Sequence, residues 1–253
     1  MIKVAIIGSG NVAQHLAGAF ANSPLTQLIQ VYSRSKESAL KFSPDVQIVF
    51  DLAELTDADL YIIAISDGAV AEVSSKLPFS NKLVVHASGA LPMSAIDARN
   101  QRGVFYPLQT FSRNKAVDFM SVPICIEAES AENLNILQQA ANAISQHSYH
   151  IDSTQRKTLH LAAVFVSNFS NHMFSLGEDI CTKAGIPFEI LKPLIMETAD
   201  KINILSPKDA QTGPAMRNDI STISAHTELL DDPNLINIYT TLTESIQQYG
   251  KKL

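Results

Sequence analysis

The sequence predicts an α/β protein in which a doubly wound, mostly parallel sheet is followed by an all-helical domain. The chain opens with a short run of mostly β-branched apolar residues, followed at once by a glycine-containing turn and a helical pattern. Strand-like apolar runs then alternate with helical patterns, which is typical of parallel sheets with crossover helices. From about residue 153 every periodic segment is helical. We therefore expect one domain at 1–152 and a second at 153–253.

The first strand, residues 1–7 with the sequence MIKVAII, leads into a turn that matches the pattern G-x-G-x-x-G/A. The residues of this turn are Gly8, Ser9, Gly10, Asn11, Val12 and Ala13. In that pattern Gly8 permits the tight turn, Gly10 lets a pyrophosphate approach the backbone, and Ala13 lets the helix pack on the strand. The amide N–H groups and the helix dipole then face the phosphates. Because a strand precedes the turn and a helix follows it, we expect a Rossmann domain that binds a dinucleotide.

The remaining strands and helices of this domain follow from the same patterns. Strands are predicted at 28–32, 46–50, 59–65, 82–87, 103–106 and 123–127, and helices at 35–42, 69–76 and 131–146. Ligands of such sheets bind beyond the carboxyl ends of the strands. The residues that follow each strand are therefore the candidate contacts.

The turn after the second strand has the sequence Ser33-Arg34-Ser35. A site specific for NAD usually has a carboxylate here, which holds the ribose 2′-hydroxyl and repels a 2′-phosphate. An arginine between two hydroxyls would instead bind that phosphate. The alternative is an ordinary solvated loop arginine. The position favours NADP as the cofactor, with these three residues among its contacts.

Small polar turns follow the next two predicted strands and include Ser66 and Ser88. They are expected to line the nicotinamide half of the crevice, although serine and glycine are also common in turns that bind nothing. The segment 106–111, YPLQTF, is aromatic and contains a proline, which is unusual for a solvent loop. We expect it to fold back over the mouth of the active site, where Gln109 or Thr110 would present a polar group to the substrate.

The second domain begins with a long predicted helix that Asp152 or Ser153 caps and that runs to about Lys183. Gly185 and Pro187 are the expected terminator. Apolar residues recur along it at spacings of three and four, as in an amphipathic helix. They are Leu159, Ala162, Val166, Phe169, Met173, Leu176 and Ile180.

The opposite side of this helix carries polar residues that suggest a lined cleft rather than a solvated face. At about 100° per residue, one arc collects Lys157, His160, Asn168, Asn171 and Ser175. A surface helix would carry Glu and Lys there. The alternative is that the His and Asn side chains lie in the core or in an interface, where other protein groups meet their hydrogen-bonding needs.

A second polar cluster lies at 211–219. Thr212 or Gly213 is expected to cap a helix that has Pro214 in its first turn. Arg217, near this start, is a candidate anchor for an anionic substrate or for the pyrophosphate, and Asp219 would lie on a face of the helix. The alternative is simply a well-capped helix.

Composition excludes several classes of function. The net charge is −6 and no Lys/Arg cluster is present, which argues against a nucleic-acid partner. No apolar run reaches the ~20 residues that cross a bilayer, and the first strand occupies the position of a signal peptide. Cys125 and Cys181 lie in apolar surroundings without zinc-site spacing, so we expect free thiols, no metal and a cytoplasmic location.

The GSGNVA turn, the S-R-S turn and the helical second domain resemble the pyrroline-5-carboxylate reductase and 6-phosphogluconate dehydrogenase-like group. More closely, four stretches resemble a bacterial family assigned as NADP oxidoreductases, which has a Rossmann-like domain followed by a helical domain of unknown function. They are HASGALP at 86–92, YPLQTFS at 106–112, LHLAAVFVSNFSNH at 159–172 and TGPAMRND at 212–219. The resemblance covers essentially the whole chain and implies a second domain like the C-terminal domain of 6-phosphogluconate dehydrogenase.

The resemblance implies a nicotinamide crevice between the domains and a homodimer built through the helical domains. Ketopantoate reductase and the β-hydroxyacid dehydrogenases place a lysine and asparagines on the long helix. Here His160 stands at the position of that lysine, Asn168 lies two turns on, and Val164 replaces the intervening asparagine. The glycine-rich helix start of the β-hydroxyacid enzymes is also missing. The substrate of those relatives therefore does not carry over, and the proton donor stays open between His160 and Lys157.

The function expected from these observations is NADPH-dependent reduction of a small C=O or C=N compound. His160 or Lys157 would supply the proton and Asn168 would orient the substrate. Further substrate contacts are expected from Asn171, Gln109, Arg217 and Asp219. One alternative is a dehydrogenase that oxidises a hydroxy acid. Another is a catalytically silent NADP(H)-binding sensor or scaffold. This alternative stays open because Val164 stands where the relatives have an asparagine.

Overall fold

The computed structural model of this protein describes residues 1–40, 42–113 and 115–251. They divide into two compact units, Met1–Met173 and the residues from Phe174 onward. The predicted boundary at 152/153 falls earlier, at the start of the long helix. Lys41 in the predicted helix 35–42, and positions 252–253 at the end of the predicted second domain, lie outside the described residues.

The first unit contains an eight-stranded sheet with the strand order β3-β2-β1-β4-β5-β6-β7-β8. Its strands are β1 (Ile2–Ile7), β2 (Thr26–Tyr32), β3 (Ile48–Val49), β4 (Leu60–Ile63), β5 (Leu83–His86), β6 (Gln101–Pro107), β7 (Ile124–Ala128) and β8 (Ser148–His150). Neighbouring strands are parallel except for the antiparallel pair β6 and β7. The predicted fold class, a doubly wound, mostly parallel sheet followed by a helical domain, is confirmed.

The sheet is buried on both faces because its central strands are apolar at consecutive positions. In β1, Ile6 packs into a cluster with Phe20 and Phe105, whereas its neighbours Ala5 and Ile7 belong to a second cluster. The helices of this unit are α1 (Asn11–Asn22), α2 (Lys36–Ala39), α3 (Val70–Ser75), α4 (Ala131–Asn142) and α5 (Ser153–Ala163). Because the central strands are buried on both faces, they appear in the sequence as unbroken apolar runs.

The structure differs from the predicted elements mainly at the far edge of the sheet. The short strand β8 was not predicted because it has three residues, none of which is buried. The helix predicted at 131–146 ends at Asn142. The helix predicted at 35–42 shortens to Lys36–Ala39, which Ser35 caps.

The long helix starting at Ser153 is continuous but not uniform. Asp152 caps α5 in a capping box with Gln155. After α5 the residues Val164–Phe169 form a π-helical segment. The α-helical hydrogen bonding then resumes as α6 (Ser170–Lys183). Gly185, with φ +67°, follows the helix as predicted.

The second unit contains the end of α6 and three further helices, α7 (Lys192–Asp200), α8 (Ile220–Glu228) and α9 (Pro233–Lys251). The prediction that a helix begins at Thr212 or Gly213 is wrong. A bend at 213 and turns at 214–218 occupy this stretch, and Asn218 has φ +53°, which an α-helix does not allow. Asp219 then caps α8 by accepting a hydrogen bond from the Thr222 amide at 3.1 Å.

The environment of the cysteines agrees with the sequence analysis. Cys125 and Cys181 are buried free thiols.

Among the helices of the described residues, none combines the length and the apolar character that a membrane-spanning segment needs.

Candidate functional site

A crevice of about 550 Å³ opens at the carboxyl ends of β1, β2, β4 and β5. Its lining brings together residues from five separate parts of the chain, which follow β1, β2, β4, β5 and β6. They are Gly8, Ser9, Gly10, Asn11, Val12, Tyr32, Arg34, Ala64, Ile65, Ser66, Ala69, Val73, Ala87, Gln109 and Phe111. Most of the predicted cofactor contacts therefore lie around one space, and Ala13 lies just behind it, fully buried against the sheet.

The two glycines of the turn serve different needs. Gly8 has φ +138°, and a Cβ there would lie 2.2 Å from the carbonyl oxygen of Ala64. The fold itself therefore requires glycine at this position. A Cβ on Gly10 would meet nothing within 4 Å, and Gly10 is the N-cap of α1. The open space lies in front of a helix N-terminus, as the pyrophosphate of a dinucleotide needs, so the residues present fit the predicted cofactor.

Arg34 lies at the β2 end of the crevice, where the adenosine ribose of a dinucleotide binds. The two serines beside it shape the turn. The Ser33 hydroxyl is fully buried and donates to the carbonyl oxygen of Ser35 at 2.8 Å. Ser35 caps α2 by accepting from the amide of Ser38. Of these three residues, Arg34 is the one that lines the crevice.

The serines after β4 and β5 have different positions. Ser66 lines the crevice. The Ser88 hydroxyl is 9% exposed and accepts hydrogen bonds from the amides of Ala90 and Leu91, both at 3.1 Å. Ser88 therefore holds the turn after β5 in shape.

The segment after β6 is tied to the nucleotide-binding helix. The Asn11 side chain donates to the carbonyl oxygen of Phe111 at 3.0 Å, and the His15 ring bonds to the carbonyl oxygen of Ser112 at 3.1 Å. Phe111 and Gln109 both line the crevice. The segment thus lies against the crevice, whereas the predicted substrate contact through Gln109 or Thr110 stays a prediction.

A second pocket, of about 390 Å³, adjoins the crevice. Gln109 lines both spaces and forms a shared wall. The polar side chains of the second pocket are those of Tyr106, Gln109, Thr110, His160, Ser167 and Asn168. Among the described residues that line it, none is Asp, Glu, Lys or Arg. The pocket can offer hydrogen bonds and a proton to a small polar group beside the cofactor crevice.

The π-helical segment explains how His160 and Asn168 come to line the same pocket. In an uninterrupted α-helix, eight residues would leave the two side chains about 80° apart around the axis. A π-bulge takes up one extra residue without the rotation of about 100° that an α-helical residue contributes. The two side chains are then separated as if by seven α-helical residues, which leaves them about 20° apart. Within the described part of the chain, Lys157 and Asn171 do not line this pocket. Lys157 is exposed.

A buried ion pair fixes the start of α5 against the sheet, and the sequence analysis missed it. Arg156 is 1% exposed and contacts Glu127 of β7 at 2.5 Å. Its guanidinium also donates to the carbonyl oxygen of Leu91 at 2.5 Å and to the Ser153 hydroxyl at 3.1 Å. His160 lies one turn further along the same helix. No sequence signal distinguishes this arginine from a solvated one, because its partner is 29 residues away.

Burial also perturbs two groups near this network. Burial, the largest contribution, and the nearby Arg156 charge together lower the pKa of His86 to about 4, although its hydrogen bond to the Pro92 carbonyl acts in the opposite direction. His86 is therefore neutral at physiological pH, and its ring bonds to the carbonyl oxygen of Pro92 at 3.1 Å. Burial raises the pKa of Tyr106 to about 12. The phenol thus keeps its proton at neutral pH.

Arg217 and Asp219 belong to the second unit. Arg217 is exposed in the turn before α8. Asp219 uses its carboxylate for capping, and hydrogen bonds from Thr222 hold its pKa below the usual range. Their predicted roles in substrate binding stay predictions.

Two family descriptions match successive parts of the chain. Residues 3–89 match the family described as NADP oxidoreductase, coenzyme F420-dependent. Residues 122–246 match a domain of unknown function, DUF2520. No curated protein sequence matches the chain.

Solved structures resemble the chain over nearly its full length. BF3122 from Bacteroides fragilis, assigned as an NADP oxidoreductase, is 41% identical over 98% of both chains, with a TM-score of 0.90. The pyrroline carboxylate reductase of Plasmodium falciparum, solved with NADP bound, is 14% identical over 98% of both chains, with a TM-score of 0.64. A reductive aminase from Aspergillus terreus, in complex with NADPH and ethyl levulinate, is 14% identical over 99% of this chain and 95% of its own, with a TM-score of 0.71. The last two likenesses show the fold alone.

Proposed function

Because the chain belongs to the same family of NADP oxidoreductases as BF3122, we propose that it is an NADPH-dependent reductase of a small C=O or C=N compound. The observation that carries the proposal is the polar pocket beside the dinucleotide crevice, which shares Gln109 with it. The reductive aminase and the pyrroline carboxylate reductase, which share the fold, are consistent with this class of substrate.

The residues of the pocket suggest a division of roles. Bound NADPH would supply the hydride. His160 supplies the proton that balances it, and the Asn168 amide orients the substrate. Lys157, the other candidate donor, is exposed, and it is not among the described residues that line the pocket. Gln109, which lines both spaces, would contact both the cofactor and the substrate.

The proposal is tested by following NADPH oxidation with glyoxylate, pyruvate and 1-pyrroline as probes. We expect turnover with at least one probe, and we expect His160→Ala to lower kcat by about 10²–10⁴ without weakening NADPH binding. Lys157→Ala is the matched control and should keep wild-type kcat. Loss of activity in Lys157→Ala alone would move the donor role to the lysine. NADPH binding without oxidation by any probe would favour the sensor or scaffold alternative.

Arg34 should set the preference for NADPH over NADH. The guanidinium can pair with a 2′-phosphate, which NADH lacks. We expect NADPH to bind about tenfold more tightly than NADH, about 1.4 kcal/mol, and Arg34→Ala to remove this preference while NADH affinity stays the same. Calorimetric titration of both cofactors measures it, and Arg99→Ala, an exposed arginine paired with Asp97, is the control. Equal wild-type affinities would contradict the assignment.

We also propose a homodimer joined through helices of residues 153–253. The long helix carries exposed apolar side chains, including Leu161 (59%), Phe165 (61%) and Phe169 (49%). A contiguous exposed apolar patch of this kind usually marks an interface. Sedimentation equilibrium should give twice the chain mass of 27.5 kDa at micromolar concentration, and Phe165→Asp should give the monomer. Leu40→Asp, at an exposed apolar residue of the Rossmann domain, should stay dimeric.

A further inference from the structure

The phenol of Tyr106 and the imidazole of His160 form a pair at the meeting point of three elements. Tyr106 lies near the end of β6, His160 on α5, and Gly89 in the turn after β5. The Tyr106 Oη and His160 Nδ1 atoms are 3.2 Å apart, within hydrogen-bond distance. The two rings meet edge to face, with centroids 6.2 Å apart.

Gly89 lets the pair reach this position. A Cβ on Gly89 would lie 2.7 Å from both His160 Nδ1 and Tyr106 Cζ. The two rings therefore pack directly on the backbone of the turn after β5. Ala87, two residues earlier in the same stretch, lines the cofactor crevice.

The pair faces the second pocket, at the end of the crevice where a nicotinamide ring would fit. Both side chains line the second pocket. Arg34 marks the adenosine end, after β2. The pair packs on Gly89 in the turn after β5, which is three strands further along in the order β2-β1-β4-β5. A dinucleotide held at the Gly8–Gly10 turn after β1 would extend its nicotinamide half from there toward the pair.

We propose that Tyr106 delivers the proton to the reduced oxygen or nitrogen of the substrate and that His160 Nδ1 resupplies it. This rests on the proposed reductase function. Reduction of a C=O or C=N group moves the π electron pair onto the oxygen or nitrogen, which then forms a bond to the Tyr106 proton as the Oη–H bond breaks. The Nδ1–H bond of His160 breaks in turn and its proton moves to Oη, while the other ring nitrogen, Nε2, takes up a proton from solvent, so that the ring stays neutral. The substrate thereby gains one hydride and one proton.

The protonation of Tyr106 agrees with this order. Burial raises the pKa of Tyr106 to about 12, so the phenol holds its proton until a basic alkoxide or amide nitrogen develops beside it. Imidazole is the side chain best suited to exchange protons with solvent near neutrality. Asn168 and Gln109 carry amides and can hold the substrate without competing for the proton.

The test uses Tyr106→Phe, His160→Ala and the control Tyr149→Phe, at an exposed tyrosine of β8. NADPH oxidation with glyoxylate and 1-pyrroline gives kcat, fluorescence titration gives the NADPH Kd, and ¹⁵N spectra of the protein without ligand report the His160 ring. Tyr106→Phe should lower kcat by about 10²–10⁴, leave the Kd unchanged and shift the Nδ1 resonance. Added imidazole should restore turnover to His160→Ala but not to Tyr106→Phe. Tyr149→Phe should match the wild type in all three measurements.

Three outcomes would overturn the proposal. Wild-type kcat in Tyr106→Phe together with a large loss in His160→Ala would make His160 the direct donor, and the reductase function would stand. An unchanged His160 spectrum in Tyr106→Phe would mean that the two side chains do not interact. The absence of NADPH oxidation by the wild type with either probe would remove the reductase function and this proposal together.

Discussion

Replacing Gly10 with valine is expected to abolish NADP(H) binding and to leave the unliganded protein folded. Gly10 has φ −73° and ψ −177°, an extended conformation that valine adopts readily. Its Cβ would meet no atom within 4 Å, so the crevice has room for the side chain. The branched side chain would then occupy the space into which the pyrophosphate must come. We expect the NADPH Kd to rise at least about 100-fold, about 2.7 kcal/mol, with little change in Tm.

Two other glycines provide the controls for this experiment. Gly8→Ala places a Cβ 2.2 Å from a backbone oxygen at φ +138°, so it should lower Tm as well as binding. Gly18→Ala lies in α1, also with nothing within 4 Å, and should bind NADPH normally. It should stabilise the protein by about 0.5–1 kcal/mol because alanine favours the helix. Normal NADPH binding by Gly10→Val would place the pyrophosphate elsewhere.

Arg156→Met is expected to cost about 3–5 kcal/mol of folding free energy. The guanidinium is buried against Glu127, and removing one member of a buried ion pair leaves the other charged and unpaired. The loss should be largely recovered in the double variant Arg156→Met/Glu127→Gln, which removes both charges. Urea unfolding of the single and double variants measures the effect.

The control for the buried pair is an exposed one. Lys76 and Glu72 form an exposed pair on one helical face, and Lys76→Met should cost less than about 0.5 kcal/mol. A comparably small cost for Arg156→Met would mean that the guanidinium does not stabilise the start of α5. A double variant as unstable as the single one would mean that the cost comes from lost packing instead of the unpaired carboxylate.

The nucleotide-binding half of the site could be predicted because its signals are local in sequence. The strand, the turn at Gly8–Ala13 and the helix follow one another directly, and sheet geometry dictates that the residue after β2 reaches the same crevice. The place of Arg34 beside the crevice was therefore predictable from its position alone, whereas its contact with a 2′-phosphate stays a prediction. The burial of central strands on both faces made them visible as apolar runs.

The second pocket could be predicted only in part. His160 and Asn168 stood out because they lie on the polar side of the long helix, where a surface helix would carry Glu and Lys. Tyr106 did not, because its partner His160 is 54 residues away and no periodicity links them. The Arg156–Glu127 pair was equally invisible, since charged residues are buried only when a distant partner meets them.

The π-helical segment at Val164–Phe169 affects how this chain is compared with its relatives. A π-bulge corresponds to an inserted residue in a helix that is otherwise unbroken. An alignment with a relative whose helix is α-helical throughout therefore needs a one-residue gap within this segment. With that gap, Asn168 corresponds to the seventh residue after the histidine position in the relative and not to the eighth. Ungapped matching would assign the polar positions of the two helices to different faces.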